Sequence, residues 1–263
     1  MIGADYSDIG NYRKNNEDTV YMDISYTSFG QVAIGIVCDG MGGHSAGDYA
    51  SKRAADVFAD WYNFNFLENI ERGYGLKQIH NEWLDLLNVL NSELVEYGLN
   101  NRIEVGTTAT VVLFLGKKYF CIHVGDSRLY EIRNVTKQLT RDHTLVARDL
   151  ERGTISSEEA KNSQSRHILL TCIGIKKEFD YHFISGDIRE DASYLLCSDG
   201  FYNKLEYEEL SDNFYKPIIM TSQEMKSRIV KVVEILKDRG EKDNISAVVL
   251  KAGHNSLTST EVL

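Results

Sequence analysis

Three aspartates stand where an apolar run meets a tight connection. Asp39 ends Ala33-Ile-Gly-Ile-Val-Cys-Asp39-Gly40, Asp199 ends Tyr194-Leu-Leu-Cys-Ser-Asp199-Gly200, and Asp243 stands just before Ile245-Ser-Ala-Val-Val-Leu250. A carboxylate at the end of a buried strand is held rigidly among apolar neighbours. Several such ends converging on one place repel one another strongly unless a cation neutralises them. Gly40 and Gly200 let the backbone turn sharply and bring a carbonyl close to a ligand. Oxygen-only donors suit hard ions that keep several waters, which favours Mg²⁺ or Mn²⁺ over Zn²⁺. A lone Asp-Gly is also an ordinary turn, so the chemistry depends on the words around it.

The elements that must position these residues are legible from periodicity. Strands are expected over 20–26, 31–38, 108–115, 119–124, 128–133, 180–184, 193–197 and 245–250. The short links Gly116-Lys-Lys118 and Gly125-Asp-Ser127 make the middle three look like an antiparallel meander. Ala46, Ala50, Ala54, Val57, Phe58 and Trp61 fall at helical intervals, and so do Leu76, Ile79, Trp83, Leu87, Leu90 and Leu94. A third helix opens on a Thr221 to Glu224 capping box, buries Met225, Ile229, Val232, Val233 and Leu236, and stops near Gly240. These patterns give an α+β domain with antiparallel sheet and long amphipathic helices.

Composition narrows the function classes. The chain has 263 residues, one proline and no linker-like stretch. It reads as a single domain over 1–252 followed by a polar tail over 253–263. The net charge of −10 argues against wrapping a nucleic-acid backbone or an anionic membrane. No apolar run approaches the ~20 residues of a membrane span, and the first residues carry no basic or apolar leader. The four cysteines, Cys38, Cys121, Cys172 and Cys197, sit in or beside apolar runs without Cys-x-x-Cys spacing, as small buried hydrophobes do in a reducing compartment. The expectation is a cytoplasmic protein, and a monomer by default because no helix sustains a heptad seam.

The surrounding words are Arg13-Lys-Asn-Asn-Glu17-Asp18, Asp39-Gly-Met-Gly-Gly-His44, Gly106-Thr-Thr-Ala109, His123-Val-Gly-Asp-Ser-Arg-Leu-Tyr130, Leu139-Thr-Arg-Asp-His143, Leu196-Cys-Ser-Asp-Gly200 and Asp243-Asn-Ile245. In this order they resemble the signature of the PPM family, the metal-dependent protein Ser/Thr phosphatases of type 2C, in its compact bacterial form. The resemblance runs from about Gly3 to about Leu250. It implies a β-sandwich of two antiparallel sheets, a pair of helices on each outer face (α-β-β-α), and a flap near the active site.

The resemblance also implies roles. The position of Asp39 bridges two metal ions, and the Gly40 carbonyl binds one of them. Asp199 and Asp243 hold the second ion, while Glu17 and Asp18 act largely through metal-bound water. Arg13 clasps the substrate phosphate with its planar, permanently charged fork. The ions, Mn²⁺ or Mg²⁺, would turn a shared water into hydroxide for in-line attack on phosphorus. In bacterial members the word containing Asp126 supplies, with Asp199, a third and weaker metal site. The alternative for Asp126 is a simple turn between two strands. Phosphorylated proteins are the implied substrates, with a Ser/Thr kinase and its targets as partners.

The pattern departs at Met41, where many eukaryotic members carry a histidine proposed to protonate the leaving alkoxide. A thioether donates no proton, so water is the expected substitute. None of the seven histidines pairs at zinc-ligand spacing. His123 is expected to be a packed core residue and His44 to play a structural part near its loop, while His143 stays ambiguous. The polar stretch 144–165, with capping-box spacing at Ser156 and Glu159, is the expected flap and place of substrate choice; the plain alternative is an exposed connection. A catalytically silent scaffold or sensor is the second reading, disfavoured by the intact carboxylate set. A nuclease would need a basic track that is missing, and no Gly-x-x-x-x-Gly-Lys-Ser/Thr word supports a nucleotide site.

Overall fold

The computed structural model describes residues 1–42, 46–163, 165–215 and 221–252. Residues 253–263 and His44 lie outside the described residues. One antiparallel sheet contains β1 (Ile2–Asp8), β7 (Arg128–Ile132), β8 (Thr136–Gln138), β10 (Ser193–Cys197) and β11 (Ile245–Lys251), in the order β1-β11-β10-β7-β8. The other contains β2 (Asp18–Thr27), β3 (Gly30–Gly42), β5 (Ala109–Leu115), β6 (Lys118–Val124) and β9 (His182–Asp187), in the order β2-β3-β5-β6-β9. The short β4 (Val105–Thr107) pairs with the far end of β3.

Alternation along each strand builds three apolar layers. On β3, Val32, Ile34, Ile36 and Cys38 face α1 (Ala46–Asp60) and α2 (Leu76–Asn101), while Ala33 and Val37 face the opposite sheet. On β11, Val248 and Leu250 enter the layer between the sheets, while Ile245, Ala247 and Val249 face α6 (Tyr207–Phe214) and α7 (Ser222–Asp238). Both faces of these strands are buried, so their sequences read as continuous apolar runs rather than as an alternating pattern. Each fully buried Ile, Leu or Phe stabilises the stack by about 1.5–3 kcal/mol before chain entropy is counted. The result is the sandwich with a helix pair outside each sheet that the resemblance implies.

Two local expectations hold and one fails. Thr221 caps α7 by accepting from Glu224 N, with the reciprocal bond present. Ser156 does the same for α4 (Ser157–Asn162), which follows α3 (Leu145–Glu151) in the segment expected to form the flap. The meander is wrong. β5 and β6 are paired neighbours, but β7 lies in the other sheet beside β10. Gly125-Asp126-Ser127 is therefore a crossing between sheets. Gly125 permits it with φ of 107°, a conformation that side-chain-bearing residues rarely adopt.

Candidate active site

Asp39 is fixed through its backbone. Its N–H donates to Thr108 Oγ1 at 2.9 Å, and its carbonyl accepts from Thr108 N at 2.8 Å and Thr107 Oγ1 at 3.1 Å. Asp18 is opposite Asp39 in the β2–β3 register, is buried, and accepts from Ser198 Oγ at 2.7 Å. Asp199 opens the single-turn α5 (Asp199–Tyr202) directly after β10, and Asp243 leads into β11. A side chain at Gly40 is impossible, because a Cβ there would lie 2.0 Å from the Gly47 carbonyl oxygen and 2.7 Å from that of Glu17.

The loop carrying Arg13 and Glu17 is fastened by Asn244. Its Nδ2 donates to the carbonyls of Ile9 at 2.9 Å and Asn15 at 3.1 Å, and its Oδ1 accepts from Glu17 N at 2.9 Å. Arg13, Glu17, Asp39, Gly40, Asp126, Asp199 and Asp243 consequently line one cavity of about 760 Å³, together with Met41. Asp18 is not on that wall but lies against it through Asp39 and Ser198.

Carboxylates gathered this way disfavour their own ionisation. Burial pushes Asp39 well above the usual range, and the charges of Asp18, Asp199, Asp126 and Asp243 push it further. Burial raises Asp126 as well, followed by Asp199. It also raises Asp18 to about 7, against hydrogen bonds from Ser246 and Ser198, and it raises Glu17 although Arg13 opposes it. Two basic groups offset part of this charge. Arg13 Nη2 lies 2.7 Å from Asp243 Oδ2, and His167 Nδ1 lies 3.4 Å from Asp199 Oδ2. The hydrogen bond to Asp199 raises the His167 imidazole. Asp199 Oδ1 is buried with no hydrogen-bond partner.

This donor set suits a hard divalent cation: it is all oxygen, mutually repelling, and contains an acceptor without a donor. Among the described residues no three acidic, histidine or cysteine side chains are already drawn into a chelating group. Arg13 and His167 stand beside two of the carboxylates instead.

Several contributors had no role assigned from sequence, Ser198 and His167 among them. Thr107, Thr108 and Asn244 lie inside quoted words, and their short polar side chains are of the kind that tie down local backbone. Glu241 gave no signal, because an acid in the run Arg239 to Asp243 resembles a solvated charge. It is buried; Oε1 accepts from Lys242 N at 2.7 Å and Asp243 N at 3.2 Å, while Oε2 has no partner.

The histidines separate cleanly. His123 is buried in β6, with Nε2 donating to the Arg141 carbonyl at 3.1 Å and Nδ1 beside Thr110 Oγ1 at 2.9 Å. That is the packed core histidine expected. His143 Nδ1 accepts from Gly125 N at 3.1 Å, so its proton sits on Nε2, which faces His182 Nδ1 at 3.2 Å. The ambiguous His143 thus supports the crossing that presents Asp126. The four cysteines are free and buried.

Among known proteins, the family described as protein phosphatase 2C matches residues 5–167. The serine/threonine phosphatase stp of Listeria innocua is 30% identical over 256 residues, covering 93% of either chain. The S. agalactiae serine/threonine phosphatase superimposes with a TM-score of 0.82 at 26% identity, covering 95% of this chain and 98% of that one. The catalytic domain of the serine threonine protein phosphatase PstP, solved in complex with two manganese ions, gives a TM-score of 0.72 at 28% identity over 94% of this chain and 96% of its own. A family match over residues 5–167 and a relative 30% identical across 93% of either chain lead to one conclusion: this chain belongs to the protein phosphatase 2C, or PPM, family of serine/threonine phosphatases.

Proposed function

We propose that residues 1–252 form one metal-dependent catalytic domain that hydrolyses phosphoserine and phosphothreonine in proteins. The observation that carries this reading is the convergence of Asp39, Asp199 and Asp243 from three strand ends onto one cavity, with Asp199 Oδ1 buried and unpaired. Asp39 and the Gly40 carbonyl would hold one Mn²⁺ or Mg²⁺, with Asp39 shared by a second ion held by Asp199 and Asp243. Glu17 and Asp18 would act through water. When bound, the ions make hydroxide available near neutral pH and offset charge on the phosphoryl oxygens, for in-line attack on phosphorus.

The chain's own residues do the rest. Arg13 must turn its fork from Asp243 to two phosphate oxygens, and its side chain, 48% exposed, has solvent to turn through. Hydrolysis forms a bond from water oxygen to phosphorus and breaks the bond from phosphorus to the serine or threonine oxygen. The departing alkoxide then needs a proton. Met41, on the cavity wall, has none to give, so solvent supplies it.

Asp126 and Asp199 would hold a third, weaker ion. With Asp126→Ala the Mn²⁺ concentration giving half-maximal turnover should rise; an unchanged Mn²⁺ dependence would remove that site. The setting we infer is a cytoplasmic monomer opposing a Ser/Thr kinase on the kinase's targets, without nucleic acid or membrane. Among the described residues no helix is long and apolar enough to cross a membrane.

The decisive experiment is hydrolysis of an aryl phosphate by wild type and Asp39→Asn, with Mn²⁺ and Mg²⁺ titrated back after chelation. Metal-restored activity in wild type and its loss in the variant are expected. An inactive wild type with both ions would leave a scaffold that keeps the fold and binds a partner.

A further inference from the structure

A second cavity of about 740 Å³ opens beside the first and shares Arg166, His167 and Asn203 with it. One wall is Val146 and Leu150, four residues apart on the same face of α3, with Ala160 of α4. Leu205, Tyr207 and Leu210, on or just before α6, supply the facing apolar surface. Most charged side chains of this groove are already engaged, and Arg166, at the junction with the first cavity, donates to His167 Nε2 at 2.9 Å. Arg128 lies 2.6 Å from Asp142, Arg141 pairs with Glu151, and the Glu206 side chain caps the first turn of α6. Two large hydrophobic side chains remain open to solvent, Leu150 at 40% and Tyr207 at 49%.

We propose that this groove binds the stretch of substrate polypeptide next to the phosphorylated residue and selects a large aliphatic or aromatic side chain there. The proposal rests on the phosphatase reading and adds to it the chemistry of substrate choice. Continuity with the candidate active site argues for this occupant. A chain whose phosphate sits among Arg13, Asp39 and Asp199 can leave past Arg166, His167 and Asn203 directly into the groove. An extended chain advances about 3.3 Å per residue, and the cavity has room for several side chains. Internally paired charges offer an incoming peptide little, whereas covering Leu150 and Tyr207 removes apolar surface from water. Selection beyond the Arg166 junction therefore falls on an apolar neighbour.

The test uses the full chain with Mn²⁺ and two sets of phosphothreonine peptides of equal length. One set carries a single Leu walked through the positions flanking the phosphothreonine, and the other carries Ser there. Wild type is expected to favour Leu over Ser at one or two adjacent positions by about tenfold in kcat/KM, the scale of a hydrophobic pocket. Leu150→Ser and Tyr207→Ala should each shrink that preference several-fold while leaving aryl phosphate hydrolysis unchanged, which also reports that the variants fold. Intact aryl phosphate hydrolysis with no Leu preference in wild type, or a preference that both variants keep, overturns the groove proposal alone. A wild type that hydrolyses no aryl phosphate overturns the phosphatase reading, and the groove proposal with it.

Discussion

At Met41 the side chain on the wall of the site carries no acidic proton. Turnover should therefore depend on how well the leaving group tolerates departing as an anion. Aryl phosphates should be hydrolysed well and alkyl phosphates poorly. Met41→His should raise the alkyl-to-aryl ratio of kcat/KM by about tenfold, a modest share of what a placed general acid contributes. A ratio unmoved by the substitution would sink this account. Asp39 makes the opposite kind of prediction. Burial and four neighbouring acids raise its carboxyl, so in the metal-free chain it works against folding. Asp39→Asn keeps the shape and removes the charge. It should stabilise the chelated protein by about 1–2 kcal/mol in urea unfolding while abolishing metal-dependent hydrolysis. A destabilised variant would mean that Asp39 is not held under repulsion. Asp39 and Asp199 were readable as strand ends followed by glycine, and Asp243 as the residue leading into a strand. Their supports were not: Thr108 and Asn244 act on backbone groups distant in sequence, and Glu241, whose bonds are local, looks like one more solvated charge in an acidic and basic run.

Among the elements, the crossing at Gly125-Asp126-Ser127 is where reading and structure part. Three apolar strands with three-residue links look alike whether the last stays in the sheet or leaves it, since both choices bury both faces. What decides is the partner strand, and β10 lies far along the chain from β7. The helices were clearer, because their apolar stripes and the Thr221 and Ser156 caps are local signals. Gly125 makes the crossing testable. It holds φ of 107°, and a Cβ there would come within 2.5 Å of Thr108 Cγ2. Thr108 in turn holds the backbone of Asp39. Gly125→Ala should cost about 2 kcal/mol or more from strain and displacement, and it should weaken Mn²⁺ dependence of hydrolysis through Thr108. A variant with wild-type stability would show that the crossing does not need glycine.

Taken as a whole, the molecule balances two buried titrating clusters of opposite sign. Buried behind the wall of the site, Asp18 binds its proton up to about pH 7, whereas the unfolded chain releases it near 4. In the metal-free protein that favours folding at low pH and is lost as pH rises through about 7. The clustered His123, His143 and His182 behave the other way. Their ring centroids lie 4.4–6.4 Å apart, and burial lowers all three imidazoles, His143 to about 4. An unfolded histidine takes up its proton near 6.5. The stabilisation from keeping His143 neutral is therefore complete above about pH 6.5, shrinks as pH falls, and is gone below about 4. For this one residue it amounts to at most roughly 3 kcal/mol. His143→Gln keeps an acceptor for Gly125 N–H without a group that protonates. Urea unfolding of both proteins between pH 4 and 7.5, in chelator, should show wild type losing stability more steeply from 6.5 to 4 than the variant. Parallel curves would mean that the fold does not hold this histidine cluster neutral.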